Sequence, residues 1–375
     1  MGKLKHRTFN ADRFLDKFQG QEIILRSFVG LWDGRLGLDT TSLDVPHFKE
    51  YLVNGDGDGK DDLLESLYMA YDLCTERGHE DLVSACDECS YSPNGNGELP
   101  VECLSLKVRT ENEDAFTLAY DRYNLWRAER FTIFSGKSAA GIVDAGAASS
   151  AFQAKLAEIF KDHKNSDRVL VRHYQEGAYT NFIVYHEKRV KAELIFKGTR
   201  MRPKVSPTIL RPAQQDFISY NNETGQLEIE AGFEKEETAL RKAFAECCLK
   251  DEDFFDSPGS SDRLNLARIA EDDFDMPVDE DHSALLAELH FKLHQTHGPS
   301  FVVRSKNVME TLEKNYLRKR LAGGTIRRAV FKIMFPDDRR GKRIELSGTN
   351  KVKFKRATHA EDVFRYLKNW GIVID

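Results

Sequence analysis

The residues best equipped for chemistry in this sequence are histidines and acids at strand ends, and cations crowded into its last fifth. His173 and His186 each close a stretch of period-two alternation, His173 in register with Val169 and Val171 and His186 with Phe182 and Val184. With Asp216 or Glu193 from neighbouring strands they would form a set suited to metal-assisted phosphodiester hydrolysis, imidazole and carboxylate acting as ligands or general bases. No nucleophile motif of the G-x-S-x-G type accompanies them. The cations are denser: Arg327, Arg328, Lys332, Arg339, Arg340, Lys342, Arg343, Lys351, Lys353, Lys355 and Arg356. Lys351, Lys353 and Lys355 alternate with Val352 and Phe354, so one strand face would be a lysine row while the other packs. Such a row neutralises phosphates, and the binding it supports falls steeply with salt. Protection of a sheet edge and compensation of helix C-termini account for the same cations without a ligand.

Composition narrows the setting. The chain has 375 residues, 41% hydrophobic and 31% charged. That is enough apolar content to exclude general disorder and enough length for more than one domain. Its apolar runs are too short to cross a bilayer, and the N-terminal MGKLKHRTFN has no apolar segment of the secretory kind. Six cysteines, two of them adjacent at Cys247 and Cys248, are expected as reduced thiols in a cytoplasmic protein rather than as a disulfide framework. The net charge of −6 hides a division. Residues 301–375 hold about 19 Lys and Arg against about 8 Asp and Glu, and residues 251–281 hold about 12 acids against two arginines.

Three further stretches carry metal or phosphate signals. Asn54, Asp56, Asp58, Asp62 and Glu65, with Gly59 at the turn, resemble an EF-hand calcium loop, which implies Ca2+ held by side-chain oxygens. The resemblance departs at Asn54, where aspartate is usual, and at Asp61, where an apolar residue is usual; the chain has no second such loop. Cys74, His79, Cys86 and Cys89 have the donor types for Zn2+, but the cysteines fall on apolar helix faces, which favours packing. Phe134 to Ser138 resembles the end of a phosphate-binding loop. Phe131 stands where that loop needs its first glycine, which excludes nucleotide hydrolysis by this route.

The elements that must position these residues change character along the chain. Residues 1–134 read as a helical domain. Asn10 is expected as an N-cap, Pro46 in a first turn, and Gly78 as the stop between two helices of an αα-hairpin. Asp61 or Asp62 and the boxes Thr110–Glu113 and Thr358–Glu361 are expected as further helix starts. Residues 135–151 are small and weakly patterned, a linker. Residues 152–250 and 283–375 alternate with period two and read as antiparallel α+β lobes, the second one basic, on either side of an acidic excursion at 251–282. Glu187-Lys188 is expected as a tight turn between strands, and residues 221–225 as a hairpin loop. The expected class is therefore α+β, a helical N-terminal domain followed by an antiparallel region, in one lobe or two. The expected function is non-enzymatic: a nucleic-acid-binding or assembly component using the basic C-terminal face without strong base specificity. A metal-assisted nuclease and a protein-interaction scaffold built on the aromatic-rich helical domain are the alternatives. No membrane association is expected.

Overall fold

The computed structural model describes residues 8–93, 99–164, 166–188, 190–197, 204–295, 297–321, 323–356 and 358–374. The chain divides into a helical unit, Lys3–Arg127, and an α+β unit that begins at Ala128.

The helical unit contains α1 (Ala11–Leu15), α2 (Glu22–Val29), α3 (Val45–Asn54), α4 (Lys60–Asp72), α5 (Glu76–Glu88), α6 (Val101–Glu111) and α7 (Glu113–Arg127). Asn10 caps α1 by accepting from the Arg13 amide, and Pro46 lies in the first turn of α3. Three starts differ from expectation. Helix α4 begins after Gly59 with no side-chain cap, and Asn112 rather than Thr110 opens α7 by accepting from the Ala115 amide. Gly78 lies inside α5, whose cap is Thr75. A Cβ at Gly78 would lie 2.0 Å from the Leu73 carbonyl oxygen, so glycine there permits a close approach instead of ending a helix. Helix α5 packs chiefly on α7, and α4 on α6, so α4 and α5 do not form the expected hairpin pair. Phe116 and Tyr123 of α7 lie in this unit's own core.

In the α+β unit, ten strands form one antiparallel sheet ordered β2-β3-β6-β7-β1-β12-β11-β10-β8-β9. They are β1 (Arg130–Ser135), β2 (Val169–Glu176), β3 (Tyr179–Glu187), β6 (Ala213–Asn221), β7 (Gln226–Glu230), β8 (Ser283–Leu293), β9 (Ser300–Arg304), β10 (Gly324–Phe335), β11 (Asp338–Ser347) and β12 (Lys351–Lys353). A separate ribbon pairs β4 (Lys191–Lys197) with β5 (Lys204–Leu210). The Glu187-Lys188 turn therefore does not join paired strands, because β3 pairs with β2 and β6. The loop at residues 221–225 does connect the paired strands β6 and β7, with Gly225 at φ +70°. The helices are α8 (Ala145–Lys164), α9 (Glu234–Leu249), α10 (Val308–Lys314), α11 (Arg318–Leu321) and α12 (Ala360–Asn369). Residues 145–151, expected as linker, begin α8, and residues 130–134, expected to end the helical domain, belong to the central strand β1. The two expected lobes are the halves of this one sheet.

The helices cover opposite faces in the two halves. Helices α8 and α9 share a core with Phe134, Phe182, Val184, Ile218, Tyr220 and Ile229. Val363, Tyr366 and Leu367 of helix α12, and Trp370 just after it, share a core with Ile133, Phe331, Ile333, Ile344, Leu346 and Val352. Ile133 and Phe134 are consecutive on β1, and consecutive strand residues face opposite sides. The side that bears these helices thus changes at β1. On β10, β11 and β12 the residues alternating with the α12 core face the side that bears α8 and α9 in the first half, beyond the end of those helices.

Candidate cationic sheet face and a buried His-Asp-Glu cluster

That side of the second half carries the cations. Lys351 and Lys353 project from β12, Arg343 from β11, Arg328 and Lys332 from β10, His290 from β8 and Arg304 from β9; ladder register places them in adjacent rows. Arg130 of β1 joins them, directly opposite Lys353. Neighbouring strands are about 4.8 Å apart, so the face extends roughly 20 Å across β12 to β9. Two cross-strand pairs on it are of like charge, Arg130 with Lys353 and Lys332 with Arg343. Like charges directly opposite one another destabilise a sheet.

Acids moderate this field. Glu288, 4% exposed, meets His290 Nε2 at 2.6 Å, Arg304 Nε at 2.9 Å, Arg328 Nη1 at 3.4 Å and Arg343 Nη2 at 3.4 Å. Burial alone would raise its carboxyl pKa, but the hydrogen bonds from Arg304 and His290 and the charges of Arg328 and Arg304 prevail and lower it to about 2. Glu345 pairs with Arg328 at 2.8 Å. At its β1 end the face meets the N-terminus of α9 in a cleft of about 320 Å³, lined by Arg130, Thr132, Phe233, Glu234, Glu237, Glu345, Lys351 and Lys353. Thr132 Oγ1 donates to Glu237 Oε2 at 2.6 Å across it.

The expected cationic set is only partly brought together. Lys342 has the same strand parity as Ile344 and Leu346, so it turns toward α12. It is 8% exposed and donates to Thr358 Oγ1 at 2.5 Å, and burial lowers its pKa. Thr358 is therefore engaged by Lys342, and α12 starts from His359 in the left-handed region without a side-chain cap. Arg356 is inward as well. Its guanidinium lies 3.7 Å from the Phe131 ring centroid and 5.2 Å from that of Phe364, and it pairs with Glu228. Arg327 is the exposed extra residue of a β10 bulge, and Arg340 and Lys355 are exposed. The side chain of Arg339 lies outside the described residues. Strand β12 lies between β1 and β11, so its lysines do not protect an edge.

The acidic excursion pairs elsewhere. Asp251 meets Lys137, Asp256 meets Arg241, Glu271 and Asp273 meet Arg268, and Asp279 meets Arg365 at 2.8 Å. None of these partners lies on the cationic face.

His186 and Asp216 do meet. His186 Nε2 lies 2.8 Å from Asp216 Oδ2, and Glu236, from the first turn of α9, completes a group whose ligand atoms all lie within 4.8 Å of one another. His186 is 2% exposed, Asp216 1% and Glu236 6%. Gln214 Nε2 donates at 2.7 Å to both Asp216 Oδ1 and Glu236 Oε2. His173 is not part of this group. It is exposed and opposite Phe182, whereas His186 is opposite Val169. Glu193 lies on the separate ribbon, ion-paired with Lys191. Sequence reasoning missed Glu236, because an acid in a helix's first turn reads as compensation of the dipole.

The calcium-loop resemblance has a packing explanation. Asn54, Asp56, Asp58 and Glu65 are not buried, Asp62 pairs with Arg35 at 2.7 Å, and Lys60 Nζ donates to the Gly55 carbonyl at 2.7 Å. Among the described residues these acids do not form a metal-sized group. A Cβ at Gly57 would lie 2.5 Å from the Leu36 carbonyl oxygen. Gly57→Ala is expected to cost about 1–3 kcal/mol, while Asp56→Ala and Asp58→Ala stay within about 0.5 kcal/mol of the parent. Urea denaturation with and without Ca2+ checks this, and a Ca2+-dependent midpoint that the aspartate changes abolish would restore a calcium loop. The thiols pack similarly. Cys86 is in the helical core with its pKa pushed up by burial to about 11, and Cys74 Sγ donates to the Ala70 carbonyl.

No protein-family model matches the chain, and no curated protein is detectably similar to it in sequence. Among the described residues no helix is long and apolar enough to cross a membrane.

Proposed function

We propose that this protein binds an extended polyanion, nucleic acid foremost, across the cationic face formed by β12, β11, β10, β8 and β9 and continued by Arg130. The observation that carries this reading is the two pairs of like-charged cross-strand neighbours, Arg130 with Lys353 and Lys332 with Arg343. A sheet face that juxtaposes cations bears a Coulomb cost that phosphates would relieve. The face is a broad sheet surface rather than a groove-fitting helix, which suits backbone contact more than base readout.

The test is binding of a labelled duplex and a labelled single strand across a salt series. The parent affinity is expected to fall linearly on a log–log plot. The Lys351→Ala/Lys353→Ala double variant is expected to make the slope shallower by about 2, one unit for each phosphate no longer neutralised. An unchanged slope and affinity would remove these lysines from the interface and the proposal with them.

A further inference from the structure

We infer that His186, Asp216 and Glu236 form a binding site for a divalent transition-metal ion of the zinc or manganese class, which pins the first turn of α9 to strands β3 and β6. The three donors come from separate elements with fixed backbones. His186 lies opposite Gln214 in the β3–β6 ladder, Asp216 is two residues further along β6, and Glu236 descends from α9. One imidazole and two carboxylates match the borderline preference of zinc and manganese rather than the all-oxygen cages of calcium. Metal bonds of about 2.0–2.2 Å place tetrahedral ligand atoms roughly 3.3 Å apart. The 2.8 Å separation of His186 Nε2 and Asp216 Oδ2 therefore needs only a small expansion to admit an ion between them.

Gln214 supplies a second observation. Its amide nitrogen reaches both carboxylates, so it already occupies a point where positive charge is favoured. Turning the amide would present its oxygen as a fourth ligand. Gly232 makes room for it, since a Cβ there would lie 2.4 Å from Gln214 Nε2. The near-complete burial of all three donors argues for a closed, structural site, because water and substrate have no approach to an open coordination position. Phe160 closes it on one side, its ring 4.5 Å from that of His186. The site would also hold the wall of the cleft that Phe233, Glu234 and Glu237 provide. The inference does not depend on the polyanion reading.

The competing account is a metal-free network in which His186 hydrogen-bonds Asp216 and Gln214 bridges the acids. The experiment separates the two. The full-length chain, stripped with chelator, is titrated with Zn2+ and with Mn2+ by calorimetry, and its thermal midpoint is recorded with and without each ion. One ion per chain and a raised midpoint are expected. Glu236→Gln and Asp216→Asn, both close in shape to the parent, are expected to weaken binding by at least about tenfold and to lose the ion-dependent rise. No stoichiometric binding, or binding that both variants retain, would overturn the inference. If a variant fails to fold, the parent's X-ray absorption spectrum decides: one imidazole among oxygen ligands supports the site, and any other first shell rejects it.

Discussion

Arg356→Ala is expected to lower folding stability by about 3–5 kcal/mol while leaving the salt slope of nucleic-acid binding unchanged. The residue belongs by sequence to the basic run, yet its side chain is a core strut. Nη1 pairs with Glu228, which is 5% exposed, and the guanidinium plane lies among the rings of Phe131, Phe354 and Phe364. Truncation leaves a buried carboxylate without that cation and removes the stacking on the rings, worth roughly 2 kcal/mol when desolvated. Arg356→Lys keeps the charge but not the planar stack, so it is expected to fall between the two. Denaturant midpoints at constant m-value measure the loss. A loss below about 1 kcal/mol, together with a shallower salt slope, would return Arg356 to the phosphate-binding set.

Glu288→Gln is the second large effect, and it divides stability from binding. The carboxylate sits among His290, Arg304, Arg328 and Arg343, and the amide would leave those arginines facing one another without their counter-charge. The expected loss is on the order of 3 kcal/mol at neutral pH, the size implied by a pKa lowered from 4.5 to about 2. A carboxyl with a lower pKa in the fold than in the unfolded chain stabilises the fold above its unfolded value. That contribution is lost as pH falls from about 4.5 through about 2. The parent should therefore lose stability over this window, and the variant should lose less. Nucleic-acid affinity should move the opposite way, rising as the released arginines become available, with a steeper salt slope. Identical acid-limb profiles for parent and variant would sink the stability argument. Weaker binding by the folded variant would count against the polyanion reading.

Much of the strand layout was legible because alternation is a local property. The stretches that became β7, β11 and β12 place apolar residues at one parity, Leu227 with Ile229, Ile344 with Leu346, and Val352 with Phe354 just beyond β12. Strand β1 was not legible. Its core, Phe131 to Phe134, is buried on both faces at the centre of the sheet, so it shows no alternation to read. Lys342 illustrates a signal that was present and outweighed, since its parity with Ile344 and Leu346 already placed it inward, whereas its neighbours in a basic run suggested the surface. The meeting of His186 with Asp216 was anticipated from strand proximity, but the exclusion of His173 depended on pairing register, and register is a relation between distant segments.

The sequence by itself determined the α+β class, most strand positions, and the concentration of cations on alternating residues near the C-terminus. Only the tertiary structure decided which side of the sheet those cations occupy and which of them reach it. Alternation labels two faces of a strand without saying which one a helix will cover, and here the helix-bearing face changes at Ile133 and Phe134. Arg130, Glu288 and Arg304 joined Lys353, Arg328 and Arg343 through ladder pairing between remote segments, beyond the reach of any local pattern. Arg356 left that set because Glu228 and Phe131, far away in the chain, offered its guanidinium a counter-charge and a ring to stack on.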